Sequence, residues 1–416
     1  MPIKYAQFIL FLVGALIKLD VNIGGRLAVG ELLLIAIFPF AISTFAKILN
    51  DRQLRWFIVG AFAWMIGAAL SDFIVGNSFE YFLKGFIRPV LCLITFVDCY
   101  YLSYKNPKNL YAFFFGLLIS GIWNIISPTD FRTGGNDAIG TYQYYAYAYT
   151  PFFIALASVG GYYLAKKSLY ASVILCLVLG VIVFPIMSRT TASVLLISGI
   201  VILLSYKSKI FRSWKIREIG LGKIFLSGFI LYCLIFYPYV FLAKNGYIGE
   251  RQQDKFEAQY YKSELVQNPI GFLFAGRMET VGAMIRVANS PIVGNGSWPK
   301  RGDSNLKAAQ LVGFYPKEVT NKVFDPEFRD PGHSVLFGIW SQSGILVVPF
   351  LLMCFVFSLK LLKYVFLGYD YYLILIIPYI FQFLYSFVFN NFNSVFRVEL
   401  VLFPLLYVYY SRAYKL

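Results

Sequence analysis

Apolar residues in this chain come in runs of about 17–25, long enough to cross a hydrocarbon core about 30 Å thick. Twelve such runs lie near 4–18, 27–46, 55–75, 82–103, 109–127, 144–164, 169–187, 190–206, 222–242, 333–358, 370–388 and 395–411. The first is short, which fits a tilted or partly interfacial segment. Lipid offers no partner for a bare N–H or C=O, so each run has to be helical. Composition agrees: 59% of residues are hydrophobic and 14% charged, against roughly 45–50% and about 25% in soluble domains. The expected class is an all-α polytopic membrane protein with about twelve transmembrane helices. Residues 1–242 hold the first nine, 243–332 form one long polar insertion, and 333–416 hold the last three.

The net charge of +16 has two readings, an acidic partner or membrane topology. Place the N-terminus in the cytoplasm. The inner loops and ends then hold 18 of the 37 basic residues, among them Lys47, Arg52, Lys108, Lys166, Lys167, Lys360, Lys363 and Arg412. The insertion holds 12 more, nearly balanced by 10 acids. Seven remain for every other outer position: Lys18, Arg26, Lys84, Arg88, Arg132, Arg189 and Arg397. This is a positive-inside pattern. It predicts both termini inside and the insertion outside, and calls for no nucleic-acid partner.

The five cysteines all fall within apolar runs, so no disulfide framework is built in the insertion. No C-x-x-C or Cys/His cluster points to zinc, and no P-loop motif points to ATP hydrolysis. The N-terminal run lacks a cleavage signature and reads as a retained helix. No internal repeat is evident.

The insertion reads as folded. Disordered segments are poor in aromatics; this one carries Tyr247, Phe256, Tyr260, Phe272, Trp298 and Phe324, among others. Met278, Val281, Ile285 and Ala288 recur at helical spacing and predict an amphipathic helix over 278–288. Pro291 and the turn Gly294-Asn295-Gly296 end it. Its Tyr and Trp faces suit sugar rings, though packing on a membrane surface is the commoner use.

Basic residues at outer membrane level carry the next inference. Arg189 interrupts two apolar runs where almost no loop separates them, so it sits at the rim or in a cavity. Lys84 and Arg88 lie one helical turn apart. Arg397 follows Asn390-Asn391-Phe392-Asn393, and Arg277 opens the amphipathic helix. A guanidinium presents a fixed fork to phosphate oxygens and keeps its charge. Snorkelling to headgroups is the plain alternative, stronger for Lys84 than for Arg189. The one histidine, His333, stands between the insertion and the tenth run. A neutral imidazole suits proton transfer near pH 7; a helix cap or an interfacial seat is the equally weighted alternative.

Three stretches resemble the O-antigen polymerases and O-antigen ligases, a group that includes bacterial protein O-oligosaccharyltransferases. Ser188-Arg189-Thr190-Thr191 is similar to the family's Ser/Thr-Arg-small motif. Gly276-Arg277 through Pro291-Ile292-Val293-Gly294-Asn295-Gly296 is similar to its Gly-Arg, short helix, Pro-apolar-x-Gly-x-Gly segment. His333-Ser334 with Gly344 resembles the ligase signature, which departs at Val347, where Gly, Thr or Tyr is wanted. These motifs cover under a tenth of the chain. The large loop between the ninth and tenth helices also fits.

The resemblance implies a GT-C-like membrane glycosyltransferase of the bacterial inner membrane, working at the periplasmic face. Its donor would be a glycan joined to undecaprenol through pyrophosphate, and its acceptor a sugar hydroxyl. It implies pyrophosphate contacts for Arg189 and Arg277 and acceptor activation for His333. Arg88, Arg132, Arg397 and Lys84 are added from the residues themselves as pyrophosphate or glycan contacts. Arginines can neutralise the leaving charge, so neither metal nor cofactor is expected, and direct displacement would invert the anomeric carbon. Membrane lipids and a chain-length regulator are the further candidate partners. The departure at Val347 tilts the reading toward a polymerase, with a ligase to lipid A core as the alternative. A flippase or exporter of lipid-linked sugars is less favoured: paired halves are missing. A histidine-dependent acyltransferase is less favoured still.

Overall fold

The computed structural model describes residues 2–22, 26–126, 138–186, 189–206, 221–248, 253, 256–257, 259–261, 264–275, 277–300, 302–312, 326–329, 334–367, 370–390 and 392–413. Helix α1 (Ile3–Leu16) leads into a two-stranded antiparallel hairpin, β1 (Asp20–Asn22) and β2 (Arg26–Ala28), with Val21 opposite Leu27. Then follow α2 (Val29–Ala41), α3 (Phe45–Asn50), α4 (Arg52–Val75), α5 (Phe79–Ser103), α6 (Tyr111–Ile126) and α7 (Ala138–Ala165). Next come α8 (Leu169–Ile186), α9 (Arg189–Tyr206) and α10 (Leu221–Lys244). The insertion supplies α11 (Pro269–Phe274), α12 (Met278–Asn289) and α13 (Ser304–Val312). The chain closes with α14 (Val335–Ser343), α15 (Val348–Leu367), α16 (Tyr371–Phe389) and α17 (Ser394–Ala413).

The architecture is all-α apart from that hairpin. Among the described residues, six helices are long and apolar enough to cross a membrane: Val29–Asn50, Arg52–Val75, Pro107–Ile126, Ile345–Val365, Tyr371–Phe389 and Ser394–Ala413. Shorter apolar helices accompany them, including Ile3–Leu16 and Leu169–Phe184. This is the build of a multi-pass membrane protein. Polar residues set the ends. Asp51 accepts from the N–H groups of Gln53 and Leu54 at 3.0 and 3.2 Å and so caps α4. Gly76, at φ +71, closes its other end.

The bundle packs around one continuous apolar core. Within it Phe57 stacks on Phe96 with centroids 3.9 Å apart, and Phe383 stacks on Phe396 at 4.6 Å. Outward-facing positions are also apolar, as Phe62, Ile66, Phe73, Ile174 and Val181 show; a helix apolar all round suits lipid rather than water. Close packing, not the hydrophobic effect, then holds helix to helix.

The two ends of the bundle differ. At one end lysines lie over tyrosines: Lys47 over Tyr104 at 4.3 Å, Lys166 over Tyr162 at 4.2 Å and Lys108 over Tyr372 at 5.3 Å. Arg412 pairs there with Asp51, and Tyr410 donates to Asp370 at 2.9 Å. The insertion occupies the opposite end, where α4 finishes and α5 starts. Part of it folds on the end of α10, where Phe236 and Val240 pack with Phe256 and Tyr260. Another part has its own small core of Val266, Met278, Val281, Ala308 and Val312.

The predicted helix over 278–288 is α12. Met278 and Val281 are buried and Ile285 half-buried, but Ala288 is exposed, because the buried stripe runs through Arg286 and Val287 instead. The predicted run 333–358 is not one helix. It breaks at Gly344, which holds φ +68 and ψ −165. A Cβ at Gly344 would collide with the Ile292 carbonyl oxygen. The loop after α12 lies in this break: Ile345 N–H donates to Ile292 C=O at 2.9 Å and Asn295 N–H to Ser341 C=O at 2.6 Å. The backbone groups freed by the break find their partners in the insertion.

Candidate functional site

Two of the three motif stretches meet at the head of α9. Arg277 is the residue before the first turn of α12, with φ −112 and ψ 38. Its Nη2 lies 3.4 Å from Thr190 Oγ1 and donates to the Tyr385 hydroxyl of α16. The guanidinium also sits over the rings of Tyr385 at 5.3 Å and Phe389 at 5.8 Å. Thr191 bonds Thr150 of α7 at 3.0 Å, which fixes the start of α9. The sequence alone gave no signal for Tyr385 or Thr150, since both read as ordinary polar residues in apolar helices. Arg189 begins α9; its side chain lies outside the described residues.

The third stretch runs beside α12. Ser334 caps α14 by accepting from Phe337 N–H at 3.1 Å. Helix α14 packs against α12, α4 and α16. His333, the neighbour of Ser334, lies outside the described residues, as does Arg132. All three stretches therefore belong to one end of the bundle, the one carrying the insertion.

Beyond α12 the loop docks on α4. Gly296 N–H donates to Ser71 Oγ at 2.9 Å. Asp72 Oδ1 accepts from Ser297 N–H at 2.6 Å and from Asn77 Nδ2 at 2.6 Å; its Oδ2 accepts from Ser297 Oγ at 2.6 Å. Asp72 is buried, so these bonds meet the demand of a carboxylate removed from water. Gly85 lets α5 approach: a Cβ there would collide with Ser297 Oγ. The docking delivers Trp298, the one non-glycine residue with positive φ (+54) among the described residues.

Trp298 lies beside three cations. The Arg88 guanidinium is 5.3 Å and the Lys84 ammonium 5.9 Å from its ring. Arg329 donates to the Trp298 carbonyl at 3.3 Å and to Asn77 Oδ1 at 2.9 Å, and lies over the Tyr81 ring at 4.3 Å. Arg88 Nη1 donates to Gln342 Oε1 of α14 at 2.7 Å. Lys84 pairs with Glu80 at 2.5 Å, one turn away on an exposed face, an arrangement worth little energy. Asp72, Arg329 and Gln342 were missed in the sequence because only the docking of the loop brings them to Trp298, whose ring was already read as suited to a sugar.

Arg397, expected to contact a ligand, meets a different partner. It is buried, at 8% exposure, and forks onto Glu31 at 2.5 and 2.7 Å. Glu31 also accepts from Ala28 N–H at 3.1 Å. The pair braces α17 against α2 and turns the fork toward the bundle interior.

No family model matches the chain, and no curated protein or solved structure matches it.

Proposed function

We propose that the chain is an inner-membrane glycan transferase, most specifically a polymerase of lipid-linked surface polysaccharide such as O-antigen. In this reading about twelve spans, in a GT-C-like arrangement, hold the insertion on the periplasmic side. The donor is an undecaprenyl-pyrophosphate-linked glycan, and the acceptor a sugar hydroxyl on another lipid-linked unit. The observation that carries the reading is the meeting of Arg277 with Thr190 and Tyr385: two motif stretches, 87 residues apart, converge at one end of the bundle.

The chemistry follows from these groups. Arg277, with Arg189 beside Thr190 in the chain, offsets the negative charge that builds on the pyrophosphate as the anomeric bond breaks. His333 accepts the acceptor hydroxyl proton while the oxygen attacks the anomeric carbon from the opposite face. The polyprenyl pyrophosphate leaves, the anomeric centre inverts, and no metal step is invoked. Tyr385 and Thr190 keep the Arg277 fork oriented, which limits the entropy lost on binding.

Reconstitution of the purified chain with an undecaprenyl-pyrophosphate-linked repeat unit tests this. Longer glycans together with released undecaprenyl pyrophosphate are expected. Unchanged donor after prolonged incubation, with no glycan on any lipid-linked acceptor, would defeat the proposal. Sidedness has its own check. Leu306 is exposed on the insertion, so a cysteine placed there should react with an impermeant reagent added from the periplasmic side.

A further inference from the structure

Helix α12 separates two cationic places. Arg277 stands at its start, and the loop that carries Trp298 begins at its end. Twelve residues at 1.5 Å each put the two ends of the helix about 18 Å apart. The two places are held by different elements: Arg277 bonds Thr190 of α9 and Tyr385 of α16, whereas the loop carrying Trp298 docks on α4 and Arg88 bonds α14.

Three observations describe what an occupant of the second place must be. First, Arg88 and Arg329 flank Trp298 and are hydrogen-bonded by neutral oxygens: Gln342 Oε1, Asn77 Oδ1 and the Trp298 carbonyl. Among the described residues neither forms an ion pair. The nearby carboxylate of Asp72 is already occupied by Ser297 and Asn77. Two guanidiniums held by amide oxygens are fixed in place but keep their full charge, which favours an anion. Second, Trp298 is held with φ +54, a conformation that strains a bulky residue and persists only when its surroundings impose it. The contacts of Ser297 and Arg329 impose it here. The indole Nε1 is buried and, among the described residues, has no hydrogen-bond partner. Third, Tyr81, Lys84, Arg88, Trp298 and Arg329 are all half-exposed, so each keeps part of its surface open to a ligand. Aromatic rings set beside guanidiniums match a saccharide with a negatively charged substituent.

We infer that Trp298, Tyr81, Arg88 and Arg329 form a second binding site, distinct from the Arg277 pole, for an acidic sugar such as a uronate residue of a glycan. The sugar face stacks on the indole while its carboxylate bridges the guanidiniums. The biological setting rests on the glycan-transfer reading; the binding itself does not.

The test uses the purified full chain in phosphatidylcholine nanodiscs, with trigalacturonate, maltotriose and inorganic pyrophosphate as probes, followed by calorimetry. Trigalacturonate is expected to bind at least about tenfold more tightly than maltotriose, the scale of one charge-assisted hydrogen bond. Arg88→Gln and Arg329→Gln should each remove that preference, and Arg277→Lys should leave it unchanged. If Arg88→Gln fails to fold, Arg329→Gln carries the same expectation. Equal binding of the neutral trisaccharide overturns the inference. So does a loss in Arg277→Lys as large as in Arg88→Gln, or displacement by pyrophosphate that disappears in Arg277→Lys, since either result means one shared donor site. Binding abolished by adding phosphatidylglycerol to the disc, with that effect gone in Arg88→Gln, assigns the site to lipid headgroups and also overturns it. A protein inactive in transfer that still binds trigalacturonate defeats the transferase reading alone; an active one that does not bind defeats this site alone.

Discussion

Arg397 and Glu31 stand 366 residues apart in the chain and close a two-pronged ion pair in the interior, Nε to Oε1 at 2.5 Å and Nη2 to Oε2 at 2.7 Å. Losing one member of such a pair leaves a bare charge where water cannot reach it, at a cost of about 3–5 kcal/mol. Arg397→Gln and Glu31→Gln should each lower the unfolding temperature in detergent, and the double variant should recover most of the loss. A double variant as unstable as the worse single one would mean that the two residues do not act as a pair.

Arg277→Lys keeps the charge and loses the fork that Tyr385 and Thr190 orient. Transfer should fall about 10- to 100-fold, the equivalent of one hydrogen bond to a charged group. Expression and unfolding temperature should be unchanged. Release of undecaprenyl pyrophosphate per folded molecule is the measurement, and an undiminished rate would return Arg277 to a purely structural role.

His333 carries the pH prediction. An imidazole acting as a base must be neutral, and its unperturbed pKa is about 6.5. Transfer should therefore fall about tenfold per unit below that pH. His333→Ala should lose about 10²–10⁴-fold in rate and lose the acid limb with it, while donor binding persists. A variant with wild-type turnover, or one whose acid limb survives, removes the histidine from the chemistry.

Gly344 should tolerate no side chain. Its φ of +68 with ψ −165 strains any L-residue, and the Ile292 carbonyl occupies the position of a Cβ. Gly344→Ala should cost several degrees of unfolding temperature and expose the 291–298 loop to limited proteolysis. Unaltered protease resistance would show that the loop docks independently of the break.

The helix positions were legible because a run's length and polarity are local properties. The runs read as 55–75, 82–103 and 370–388 became Arg52–Val75, Phe79–Ser103 and Tyr371–Phe389. The break at Gly344 was not legible, because the apolar run continues through it and its hydrogen-bond partners come from Ile292 and Asn295. For the same reason the Glu31 pairing of Arg397 was not legible, since nothing local to it reveals Glu31. The motif around Arg277 gave its chemistry but not its neighbours, since Thr190 and Tyr385 lie on other helices.

The loop seated in the broken helix also governs the order in which the protein can be built. Ile292 and Asn295 leave the ribosome well before Ser341 and Ile345, so the insertion has to wait, incompletely bonded, for the helix that will receive it. It is therefore no portable cassette. A chimaera that exchanges residues 243–332 alone between related proteins should misassemble, whereas one that also carries 71–77 and 334–345 brings the socket with the plug.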